Sequence, residues 1–147
     1  MTRYALLVRG INVGGKNKVV MAQLRQELAE LGLENVVTYI NSGNIFFDSS
    51  KARTLLVESL QGFFEVHYPF IKSFSLVSQE DYEEELRTLP AWWFQEMARK
   101  DVLFYTEGLH VETVVEKVKT LQLLDEVLHF GKHGIFWGKL SEETYAK

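Results

Sequence analysis

The stretch RGINVGGKNK, residues 9–18, gathers side chains and backbone suited to holding an anion. Gly10, Gly14 and Gly15 permit positive φ and close backbone approach, so successive N–H groups can converge on one ligand. Arg9, Lys16 and Lys18 supply positive charge, and Asn12 and Asn17 can donate or accept hydrogen bonds. Gly10, Gly15 and Lys16 also fit the GxxxxGK frame of a nucleotide-binding P-loop. That frame fails at the next position, where Asn17 replaces the hydroxyl residue that would hold magnesium. Two adjacent glycines with two asparagines exceed what a plain strand-to-helix turn requires, so a phosphate or carboxylate cradle before the first helix ranks above a P-loop and level with a plain glycine-rich turn whose bases are merely solvated. A second polar cluster, Asn41-Ser42-Gly43-Asn44, is read first as turn chemistry and second as a candidate site.

The charge distribution points to the same loop. The chain has 147 residues and a net charge of −4, yet all 20 acidic residues lie from Glu27 onward. Before it stand Arg3, Arg9, Lys16, Lys18 and Arg25. Such asymmetry marks an anion-binding edge or internal pairing. The run Glu80, Asp81, Glu83, Glu84, Glu85 would supply the counter-charge, or form a solvated helix face.

Other chemistries lack support. With no cysteine, disulfides, thiolate catalysis and cysteine-ligated metal sites are excluded. His129 and His133 are four apart, but Gly131 and the hairpin around them destroy helical ligand geometry, and no metal or cofactor is expected. His67 and His110 fall at element ends. No GxSxG elbow is present. No run approaches the roughly 18 apolar residues of a membrane helix. MTRYALLVRG is too short in its apolar part for a signal peptide, so the expected location is the cytoplasm.

The elements that must carry the loop follow from hydrophobic periodicity. RYALLVR (3–9) reads as a buried strand. Met21, Leu24, Leu28 and Leu31 make a helical stripe closed by Gly32. VVTYI and NIFFD form a hairpin, a second helix covers roughly 51–65, and FIKSFSLV (70–77) alternates as a half-exposed strand. The order βαββαβ predicts a ferredoxin-like lobe over 1–77. Residues 78–147 repeat it incompletely: a helix over 78–89, a strand at 101–106, a helix over 110–121, the EVLHFG/GIFWGKL hairpin, and a helix beginning in SEETYAK. The predicted fold class is therefore α+β: two ferredoxin-like lobes with antiparallel sheets in one compact body, the second lacking its last strand. An open sheet edge of that kind favours a homo-oligomer. Trp92, Trp93 and Phe94 are expected to pack between the lobes. In this order the 41–44 turn is expected at the sheet end opposite the 9–18 loop, so the two motifs are not expected to form one site.

The segment YALLVRGINVGGKNKVVMAQLRQELAELGLENVVTYINSGNIFFD closely resembles the N-terminal signature of the bacterial family catalogued as domain of unknown function 1697. ARKDVLFYTEG and HFGKHGIFWGK extend the resemblance along the chain. It implies a pair of ferredoxin-like lobes and no established activity. Members of that family usually continue through another helix and strand, so this chain is either naturally short or a piece of a longer one.

The leading functional expectation is a module binding a small anionic, phosphate-bearing ligand at residues 9–18. An enzyme acting on a phosphorylated metabolite through the same loop is the first alternative. An RNA-binding or protein-interaction module using the sheet face is the second, resting on exposure of Tyr4, Phe46 or Phe47. Net negative charge and the lack of an RNA-binding signature weigh against nucleic acid.

Overall fold

The computed structural model describes residues 1–39, 43–121 and 126–139. The elements run β1 (Thr2–Val8), α1 (Met21–Glu30), β2 (Glu34–Tyr39), β3 (Asn44–Ser49), α2 (Arg53–His67), β4 (Phe74–Ser78) and α3 (Gln79–Arg87). A 3-10 turn (Ala91–Phe94), β5 (Arg99–Phe104), α4 (Val111–Lys119), β6 (Glu126–Phe130) and β7 (Gly134–Lys139) complete the order. The protein is mixed α+β, with four helices among the described residues and two antiparallel sheets. It divides into two compact units, Met1–Gln79 and Glu80–Lys147. No helix among the described residues is long and apolar enough to cross a membrane.

In the first unit the strands lie in the order β2-β3-β1-β4, every pair antiparallel. Side chains alternate across a strand, so the pairs Tyr4↔Phe47, Leu6↔Ile45, Leu6↔Leu76 and Val8↔Phe74 put seven apolar residues on one face. Met21, Leu24 and Leu28 of α1, with Leu56, Leu60, Phe63 and Phe64 of α2, join that face in one buried core. Burying each such side chain contributes about 1.5–3 kcal/mol before entropy is charged against it. Gly32, at φ 105°, ends α1, and Leu33 N–H bonds back to the Leu28 carbonyl.

On the opposite sheet face Asp48 accepts a hydrogen bond from Asn35 at 2.8 Å and lies 3.3 Å from the Arg3 guanidinium. The Asn35 bond and then the Arg3 charge hold its carboxyl below the ordinary value of 3.8. A carboxylate depressed in the folded state contributes stability that is present above its unfolded pKa and lost as pH falls through the folded value. Acid unfolding of Asp48→Asn should therefore be shallower than wild type below pH 3.8, as read by circular dichroism.

Strand β4 differs from the expected alternating run over 70–77. It starts at Phe74, because Tyr68 and Ile71 close a turn through Pro69, with Ile71 N–H on the Tyr68 carbonyl at 2.9 Å. Phe74, Ser75, Leu76 and Val77 are then buried on both faces rather than alternately.

In the second unit the order is β5-β7-β6, again antiparallel. Ile135 and Phe136 are its buried centre. The Trp92–Phe94 cluster, expected between lobes, has described partners on β7 and β5 of its own unit, Lys100 Nζ lying 5.8 Å from the Trp93 ring centre. Trp93 meets Phe136 edge-on at 5.1 Å, and Trp92 with Met97 crowds Gly138, where a Cβ would stand 2.8 Å and 2.5 Å from them. Phe94 is exposed. The valine stripe of α4 forms, but none of its residues is fully buried. The helix expected in SEETYAK lies outside the described residues.

Candidate functional site

Arg9 to Lys18 leaves the end of β1 as a small hairpin of its own. Val13 and Lys16 form an isolated antiparallel bridge, with Lys16 N–H on the Val13 carbonyl at 3.0 Å. Between them Gly14 and Gly15 stand at φ 57° and 76°. Positive φ at both central residues defines a type I′ turn, so here the turn itself requires the glycine pair. Asn12 and Asn17 take φ 54° and 52°, a region asparagine tolerates, and Asn12 N–H bonds the Asn17 carbonyl at 3.1 Å.

Both asparagine amides are committed to the loop. Asn12 brackets Val19, accepting its N–H at 2.8 Å and donating to its carbonyl at 3.1 Å. Asn17 donates to the Gly10 carbonyl at 2.9 Å. Ile11 and Val19 are buried and anchor the base, whereas Val13, Gly14, Gly15 and Lys16 are exposed at the tip. Replacing Asn12 with Ala strands the Val19 N–H, and should cost about 1–2 kcal/mol in a denaturant titration.

Among the described residues, the Gly14 and Gly15 N–H groups donate no hydrogen bond, and Arg9, Lys16 and Lys18 make no ion pair. Val20 precedes α1 with no side-chain cap, and the first turn of α1 holds no acid. Glu27, the first carboxylate of the chain, accepts the Tyr68 hydroxyl and sits 3.5 Å from His67 Nδ1. Burial, and then Glu27 itself, push the Tyr68 phenol well above its ordinary value, so it remains a donor.

The turn into β3 lies at the same sheet end as the loop, not the opposite one. Leu7 pairs with Asn44, and Val8 N–H bonds the Gly43 carbonyl at 2.9 Å. The reason is elementary: β3 runs antiparallel to β1, so it must begin where β1 finishes. The approach is so close that a Cβ on Gly43 would stand 1.9 Å from the Val8 oxygen. Asn41 and Ser42 lie outside the described residues.

The same register exposes a residue that the sequence pattern concealed. Val8 pairs with Phe74, so exposed Lys72, two residues earlier, also stands at this end. Reading 70–77 as one strand hid Lys72 inside it; the Tyr-Pro pair at 68–69 was the signal for a later start. Residues 9–20, 43–44 and 68–74 thus bring Arg9, Lys16, Lys18 and Lys72 to one sheet end and contain no carboxylate.

The sheet face offers less. Tyr4 and Phe47 stack on each other, centroids 5.6 Å apart, inside the core, whereas on the far face Phe46 is half-exposed and Val37 and Tyr39 of β2 are exposed. No group of three or more His, Asp or Glu among the described residues is placed to hold a metal ion.

Antiparallel sheets in both units, with a basic glycine hairpin closing the first strand, define a class of small two-unit α+β proteins. Within that class the chain belongs to the family described as protein of unknown function (DUF1697), whose model matches residues 1–136. It is similar to the solved structure of the conserved bacterial protein SP0830 from Streptococcus pneumoniae. The two are 70% identical with a TM-score of 0.96, over 99% of this chain and 81% of that one. No curated protein matches the chain.

Proposed function

We propose that the chain binds a small phosphate-bearing anion at the sheet end where residues 9–18 leave β1. One observation carries this reading: Arg9, Lys16, Lys18 and Lys72 share that end with no carboxylate in the segments that form it. In this reading Gly14 and Gly15 donate their N–H groups to the phosphate oxygens, and the four cations supply charge. Gly10, Asn12 and Asn17 shape the loop and do not touch the ligand. Gly43 and Asn44 flank it from the β3 side. Both units are read as ferredoxin-like lobes; the β2-β3-β1-β4 order with α1 and α2 on one face supports this for the first, and β5-β7-β6 gives the same order short of one strand.

A thermal-shift screen of sugar phosphates, nucleotides and short RNAs tests the proposal, with Lys16→Ala as control. A sugar phosphate or nucleotide should raise the wild-type Tm more than that of the variant. If RNA alone does so, the ligand is nucleic acid. If none does, the loop is only a turn.

A further inference from the structure

Strands β2 and β3 carry an apolar band on the sheet face that turns away from α1 and α2. Val36 packs against the core and Thr38 accepts a hydrogen bond from Arg25 of α1, so Val37 and Tyr39 project from the opposite face. They are 48% and 64% exposed. The register extends the band across the sheet. Val37 pairs with half-exposed Phe46 and Phe46 with Ala5, while Tyr39 pairs with Asn44 and Asn44 with Leu7. Exposed apolar residues scattered singly need no explanation, but these are neighbours on paired strands.

The band leads to the basic loop. The row Tyr39, Asn44, Leu7 is the last before β1 ends at Val8 and residues 9–18 begin. The only carboxylates of β1, β2 and β3 are Glu34 and Asp48, opposite each other at the other end of the sheet. The face thus passes from an uncharged aromatic band to the end that holds Arg9, Lys16, Lys18 and Lys72. Paired strands lie about 4.8 Å apart, so Tyr39, two strands from Leu7, stands roughly 10 Å across the sheet from it. That layout suits a ligand with a flat apolar group at one end and an anion at the other. It suits a second copy of the chain less well. β2 is an edge strand, and a bulge between Glu34 and Val37, with Asn35 at φ 51°, discourages strand addition there.

We propose that the anion bound at this sheet end is a mononucleotide, its base stacked on the Tyr39 ring beside Phe46 and Val37 and its phosphate at the 9–18 loop. The inference rests on the anion-binding reading above and adds what the remainder of the ligand must be. A sugar phosphate has no flat apolar group and would leave the aromatic band uncovered. Base–aromatic stacking accepts any base, because every base has a π-face, so AMP serves as the probe.

Calorimetric titration of the full chain with AMP and with ribose 5-phosphate tests it, since the two share ribose and phosphate and differ in the adenine. Wild type should bind AMP at least about fivefold more tightly. Tyr39→Ala, at an exposed position, should weaken AMP binding by about that factor and leave ribose 5-phosphate unchanged. Tyr39→Phe keeps the ring and should keep the preference. Equal wild-type affinity for the two probes overturns the inference while the anion site stands. So does an AMP preference that survives Tyr39→Ala, or one lost in Tyr39→Phe, which would assign it to the hydroxyl rather than the ring. If neither probe binds wild type, the anion-binding reading falls and this inference with it.

Discussion

Gly43→Ala should destabilise the protein by on the order of 2–4 kcal/mol, a large fraction of the stability of a domain this size. The new Cβ would stand 1.9 Å from the Val8 carbonyl oxygen and 2.7 Å from the Val8 Cγ2 atom. The first obstacle is backbone, so no rotamer change relieves it; β1 and β3 must part at that end. Overpacking of this kind costs about 1–3 kcal/mol. The bond from Val8 N–H to the Gly43 carbonyl, 2.9 Å long, is lost as the strands separate, adding about 1 kcal/mol. Gly62 is the control: it lies inside α2, and a methyl group there would meet nothing within 4 Å. Gly62→Ala should leave stability unchanged or raise it by up to about 1 kcal/mol. Urea titrations of the two variants compare them directly. Equal stability of Gly43→Ala and wild type would contradict the register that brings the turn beside the loop.

Charge reversal at the loop is expected to have the largest effect on binding. Lys16→Glu with Lys18→Glu turns two attractions for a phosphate into two repulsions. Hydrogen bonds to charged groups are worth about 1.5–3 kcal/mol each, so the pair should weaken binding by a hundredfold or more, on the order of 3–6 kcal/mol in total. Both side chains are exposed and, among the described residues, unpaired, so folding stability should stay within about 0.5 kcal/mol of wild type. That separation distinguishes a binding role from a structural one. Lys72→Ala should weaken binding of the same ligand by a smaller factor, since Lys72 precedes β4 and is not part of the loop itself. Raising ionic strength should weaken wild-type binding too, because the Debye length is only about 8 Å at 0.15 M salt.

Much of this architecture is legible in the chain because its local signals agree. The stripe Met21, Leu24, Leu28 ends at Gly32, and α1 runs Met21–Glu30. The apolar run before Gly10 became β1, and the runs flanking residues 41–43 became β2 and β3. What failed was spatial rather than local. Placing the 41–44 turn away from the loop ignored a consequence of antiparallel pairing, that β3 must begin where β1 ends. The start of β4 is hidden in the pattern because Phe70 and Ile71 continue the apolar alternation, while the Tyr68–Ile71 turn overrides it. Reading the glycine pair as surplus to a turn overlooked that a type I′ turn needs both. Nor does any periodicity show that Glu85, alone among five neighbouring acids, turns inward; that follows from contact with a hairpin almost fifty residues away.

The most direct measurement is a titration of the isotope-labelled chain with ribose 5-phosphate, following backbone amide resonances by NMR. Gly14 and Gly15 should move saturably in wild type, and remain still in the folded Lys16→Glu, Lys18→Glu variant. If those two amides stay fixed in wild type while resonances elsewhere follow the ligand, the anion does not bind at this loop.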